Sequence, residues 1–192
     1  SIVWRFLLAS LMLFIWCFIR GLKLSFPWKE HINWLFLGFF LFCINYICAY
    51  FGTIYLVSGL VCLIFSTLTL FTVLNGFIFF KKPVRLPILF GAIVGIAGLS
   101  IIFSNEISST EWSLDSGIVK GFLWMLLATF FASIGMLLSG QMQARKIPLI
   151  QSNAFSMLYG SLILVTYISF SDISFSFDNS YSYVTSLIYL SL

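Results

Sequence analysis

Six runs of about 20 largely apolar residues follow one another with only short links between them, over residues 2–20, 33–52, 55–80, 86–104, 118–141 and 150–170. A run of that length spans the hydrocarbon core of a bilayer as one helix. Composition agrees: 61% of the 192 residues are hydrophobic and 8% are charged, against about a quarter charged in a soluble domain. Mean hydropathy is +1.08. In hydrocarbon each backbone polar group must be satisfied inside its own segment, so the predicted fold class is all-α, a polytopic membrane helix bundle. The third run is long for one crossing and is expected to tilt or to end in the interface. A seventh run begins near Tyr183 and stops at Leu192, too short to cross.

The charges sit between the runs and alternate in sign. The first link holds Arg20, Lys23 and Lys29, the third Lys81, Lys82 and Arg85, and the fifth Arg145 and Lys146. The second link, near Phe51 to Ile54, carries no charge; the fourth holds Glu106, Glu111, Asp115 and Lys120; the sixth holds Asp172 and Asp178. Basic residues mark cytoplasmic links, so the first helix is expected to enter from outside and the basic links to face the cytoplasm of an inner (plasma) membrane. Pro83 and Pro87 are expected to end one helix and start the next. Trp4, Trp28, Trp34, Trp112 and Tyr183 fall near the predicted interfaces, where an aromatic belt forms. A chain that starts outside and ends within an apolar run is expected to be truncated at both ends.

Several function classes lose ground here. Apart from Arg5, the basic residues behind the net charge of +4 sit in or beside the short links, so they do not form a nucleic-acid surface. Cys17, Cys43, Cys48 and Cys62 all lie in apolar runs without a CxxC, and the one histidine, His31, reads as a loop residue beside Glu30. No metal or other cofactor is expected. HExxH, paired Asp and Ser–His pairings are lacking, which argues against an enzyme. No Asp or Glu falls within a predicted span, so proton coupling has no visible carrier in these runs.

"ASLML" (9–13) is echoed by "GSLIL" (160–164) in runs entered from opposite sides, the pattern of an inverted repeat. Three further stretches carry a resemblance: "RFLLA" from Arg5 to Ala9, "VSGLVCLIFSTLTLFTVL" from Val57, and "GAIVGIAG" with Gly91, Gly95 and Gly98. With "GFLWMLLATFFASIGMLLSGQ" from Gly121, their order resembles the drug/metabolite transporter superfamily in its EamA-like branch. The resemblance covers essentially the whole chain and implies inverted five-helix repeats, ten helices when complete. Residues 1–104 would be a first repeat lacking its first helix, 105–117 an extracytoplasmic linker, and 118–192 the start of a second repeat. The chain departs from the family pattern at Thr69, where a proline is common, and at Lys81-Lys82, where a Glu-Arg pair is common. The implied function is a permease exporting small metabolites or amino-acid-like solutes by alternating access. The alternatives are a packing or assembly protein, and a half-size subunit that needs a partner chain.

A polar solute needs polar side chains near the midplane. The candidates for substrate binding are Arg5, Asn45, Tyr46, Ser66, Thr69, Asn153, Ser156 and Tyr159, each on a stripe of polar or small residues at helical spacing or at a helix end. Such stripes also serve helix packing. For Arg5 both outcomes stay open: snorkelling to the outer surface, or holding an anionic group. Gly91, Gly95 and Gly98 are expected to pack the fifth helix against a neighbour in the same bundle, with a homodimer as the second option.

Overall fold

The computed structural model describes residues 2–81, 83, 86–102, 104, 108 and 117–170. These form α1 (Ile2–Ile19), α2 (Trp28–Leu37), a π-helical segment (Gly38–Ile44), α3 (Asn45–Tyr55), α4 (Ser58–Ser66), α5 (Leu68–Phe80), α6 (Leu86–Ile102), α7 (Gly117–Ala144) and α8 (Leu149–Phe170). Among the described residues there is no strand. Among the described residues, five helical spans are long and apolar enough to cross a membrane, and the chain is a polytopic helical membrane protein. Lys82, Arg85, Glu106, Glu111, Trp112, Asp115, Asp172, Asp178 and the apolar run from Tyr183 lie outside the described residues.

The boundaries correct several expectations. The second span runs unbroken from Trp28 to Tyr55, 28 residues, or about 42 Å at 1.5 Å per residue. That exceeds a hydrocarbon core of about 30 Å, so its ends reach the headgroups. Pro27 supplies the extended N-cap residue of α2. His31 is therefore helical and not in a loop, and Glu30, expected between spans, stands in the first turn. The uncharged link falls at Leu56–Val57, not at 51–54. The long third run is interrupted at Thr67. There the Ser66 and Thr67 hydroxyls donate to the carbonyls of Leu63 and Ile64, each at 2.6 Å, and such local bonds compete with the helical ladder. Lys120, read as part of a link, belongs to the first turn of α7. α6 reaches only 17 residues.

The chain divides into two compact units, one of residues 1–43 with 138–192 and one of residues 44–137. In the first, α1 packs on α8 and runs antiparallel to it: near the start of α1, Phe6 meets Phe42 at 5.1 Å, which lies against Gly160, whereas further along α1 the contacts fall earlier on α8. Ser10 Oγ donates to the Ala154 carbonyl at 2.8 Å, and Phe14 meets Phe155 edge-on at 4.9 Å. α2 and the π segment run parallel to α8: Trp34 meets Ser152, and Gly38 meets Ser156 and Gly160. The α1 C-terminus, the α2 N-terminus and the α8 N-terminus consequently share one end of this unit. Trp34, Leu37 and Met142 form its core, with Phe26, Leu41, Ile147, Phe155 and Tyr159 against them.

Helix ends in this unit are closed by the backbone itself. After α1, the N–H of Leu22 reaches the carbonyl of Cys17 at 2.9 Å and that of Gly21 reaches Phe18 at 3.1 Å. After α7, Ile147 reaches Met142 at 3.1 Å and Lys146 reaches Gln143 at 2.9 Å. Both are Schellman motifs, which satisfy carbonyls that hydrocarbon could not. The motif needs a left-handed residue. Gly21 takes that conformation at φ 60, and Lys146 takes it at φ 59 despite its Cβ.

In the second unit, Leu56, Leu60, Ile64 and Met125 form the core. α3 and α7 approach closely through glycine. A Cβ on Gly121 would sit 2.8 Å from Tyr55 Cβ and 3.1 Å from the Gly52 carbonyl oxygen. α5 lies along α7 in the same direction, with Phe71 edge-on to Phe130 at 5.9 Å and Asn75 donating through Nδ2 to Ser133 Oγ. α6 contacts α4 and α5. Its Gly91, Gly95 and Gly98 face no neighbour among the described residues. All three are exposed, and a Cβ at any of them would meet nothing within 4 Å among the described residues.

Candidate functional site

Most helices here are apolar around their circumference, so the informative residues are polar side chains held inside them. The first unit concentrates these along one seam of α8. Gln151, Ser152, Ser156 and Ser161 are buried. Trp34 is fully buried, stacks on Phe155 at 4.8 Å with the rings 6° apart, and donates from Nε1 to Ser152 Oγ at 3.0 Å. This corrects the placement of Trp34 in an interfacial belt: its indole N–H is satisfied by a protein hydroxyl and not by headgroups. Ser156 Oγ is buried without a hydrogen-bond partner among the described residues. Gly38 lies directly against the Ser156 backbone.

Tyr159 sits at the same seam. Its hydroxyl is hydrogen-bonded to His31 Nδ1 at 2.8 Å. The imidazole is edge-on to Trp34 at 4.9 Å and to Phe155 at 5.0 Å. A histidine that looked like an isolated link residue is thus built into an aromatic cluster. Its neighbour Glu30 accepts a bond from Asn33 Nδ2 at 3.2 Å. Asn153 and Arg5 are both half-buried, on α8 and α1.

The second unit holds the remaining candidates. Asn45 is 6% exposed in the first turn of α3, directly after the π segment, with Tyr46 half-buried beside it. Ser66 is half-buried, its hydroxyl turned back onto its own helix. Thr69 is exposed and lines a groove of about 620 Å³ with Thr72, Gly76, Pro83, Ile88 and Met136. Buried Asn75, bonded to Ser133, is a polar residue absent from the sequence candidates, as are buried Gln151 and Ser161. The signal was present: an amide within an apolar run needs a partner, the same argument that singled out Asn45. Candidates Arg5, Asn153, Ser156 and Tyr159 therefore belong to one unit, and Asn45, Tyr46, Ser66 and Thr69 to the other.

The chemistry available is hydrogen bonding and aromatic contact. Among the described residues, no three His, Cys, Asp or Glu side chains gather as they would around a metal ion. Cys17, Cys43 and Cys48 are buried, and Cys62 is exposed.

An all-helical membrane bundle with small-residue seams and buried hydroxyls defines a class, and comparison with known proteins gives the family. The family model described as EamA-like transporter family matches residues 1–104. The chain belongs to the EamA-like transporter family. It is also similar to a curated protein named "Uncharacterized transporter in trpA 3'region" from Buchnera aphidicola subsp. Schlechtendalia chinensis. The two are 29% identical over 162 residues, 84% of this chain and 52% of that one. The chain thus spans about half the length of the curated relative it matches. No solved structure matches it significantly.

Proposed function

We propose that this chain is part of a plasma-membrane permease that exports small metabolites or amino-acid-like solutes by alternating access. Residues 1–104 form one repeat, 105–117 a linker outside the membrane, and 118–192 the start of a second, inverted repeat, with the basic links cytoplasmic. The family, and the word transporter in the relative's name, support this reading. The observation that carries it is the set of polar side chains inside apolar spans, above all buried Asn45 with half-buried Tyr46 beside it. Desolvating such groups is costly, and in membrane helices they mark solute pathways. Arg5, Ser66, Thr69, Asn153, Ser156 and Tyr159 are the further substrate contacts in this reading. A homodimer would be one way to cover the open Gly91, Gly95 and Gly98 face.

The packing reading draws on the glycine seams at Gly38–Gly160 and Gly52–Gly121. Flux assays on the full reading frame in vesicles separate the two. Asn45→Ala and Tyr46→Phe should each cut efflux about tenfold or more, at unchanged membrane abundance. Loss of abundance with the remaining flux per molecule intact would favour packing.

A further inference from the structure

We infer that the shared end of the first unit is a binding surface for anionic phospholipid headgroups, centred on Arg20 and Trp16. The helix directions bring two links that are far apart in sequence to this end. One carries Arg20, Lys23 and Lys29, and the other carries Arg145 and Lys146. All five side chains are exposed. None makes an ion pair among the described residues. The acidic residue nearest to them in sequence, Glu30, is half-buried and accepts from Asn33. A concentration of positive charge with so little opposing charge raises the local concentration of anions.

The detailed geometry suits a phosphate held at the edge of hydrocarbon. The Arg20 guanidinium lies 4.8 Å over the Trp16 ring, which holds one face and leaves its N–H edge for a planar, multidentate acceptor. The carbonyls that end α1 and α7 are satisfied by backbone N–H groups, so Arg20 and Arg145 are not needed as helix caps. Immediately along α1 from Arg20, Phe18 is 83% and Ile19 71% exposed, and Trp28 is 78% exposed at the start of α2. Exposed apolar side chains beside cations that make no ion pair among the described residues, with tryptophan at the junction, fit a lipid whose tails lie along α1 and whose phosphate reaches Arg20. A free anion would use the cations and leave Phe18 and Ile19 uncovered. The commitment is therefore to lipid. It rests on the membrane class and is independent of whether the chain transports anything.

The test uses the full-length protein in nanodiscs of equimolar phosphatidylglycerol and phosphatidylcholine, with native mass spectrometry of the lipids that stay bound. The wild type should retain phosphatidylglycerol with about threefold enrichment or more. The combined Arg20→Gln, Lys23→Gln, Arg145→Gln variant should return to the bulk ratio, and Lys120→Gln at the far end of α7 should keep the enrichment. An unenriched wild type overturns the inference, and this arm decides even if the triple variant does not fold. Equal loss in Lys120→Gln, or displacement of the bound lipid by inorganic phosphate alone, overturns it as well.

Discussion

The α8 seam and the exposed face of α6 are written in the same residue types and are used in opposite ways. On α8, Ser152, Ser156 and Gly160 recur at helical spacing, and each is buried against α2 or the π segment. On α6, Gly91, Gly95 and Gly98 recur just as regularly, and no described side chain touches the space a Cβ would fill. Small residues permit close approach, but the approach itself needs a neighbour. What distinguishes the two is the company they keep. On the α8 seam the hydroxyls of Ser152 and Tyr159 pair with Trp34 and His31, whereas the α6 glycines have only apolar residues beside them in sequence, Phe90, Ala92, Val94, Ile96, Ala97 and Leu99.

Substitutions on the α8 seam and on the α6 face test that difference, and one in the buried α5–α7 contact gives the scale between them. The largest effect is expected at Gly160→Leu. The first side-chain atom would fall 2.8 Å from Phe42 Cβ and 2.9 Å from the Gly38 carbonyl oxygen, and overpacking of this kind costs about 3 kcal/mol. Thermal unfolding in detergent should show a clear drop; an unchanged midpoint would mean that the seam is not closed.

A smaller loss is expected for Asn75→Leu, which removes the donor to Ser133 in the buried α5–α7 contact. An interhelical bond in a membrane bundle is worth about 1 kcal/mol. The double change with Ser133→Ala should cost less than the sum of the single losses, and strictly additive losses would show that the pair does not interact.

Smallest, and opposite in sign, is Gly95→Ala. On an open face alanine is the better helix former by up to about 1 kcal/mol, so the midpoint should hold or rise. A fall comparable to that of Gly160→Leu would reveal a partner on this face and erase the contrast with α8.

The sequence by itself determined the class and most of the span order. Runs of about 20 apolar residues have few other outcomes in hydrocarbon, since the backbone must satisfy itself helix by helix. Arg20, Lys23, Lys29, Arg145 and Lys146 marked two links as equivalent, and the helix directions gather both at one end of the first unit. The ends of spans were less legible. Hydropathy falls at Lys29, Glu30 and His31, yet the helix continues through them, because a 28-residue helix emerges into headgroups where polar side chains cost little.

Only the tertiary structure decided which polar residues meet. His31 and Tyr159 are 128 positions apart, Trp34 and Ser152 are 118 apart, and Asn75 and Ser133 are 58 apart. Helical periodicity fixes which side chains share a face of one helix. It says nothing about which face of another helix arrives opposite, because that is set by the summed packing of both surfaces. For the same reason Gly160 of α8 found neighbours, and the glycines of α6 meet none among the described residues.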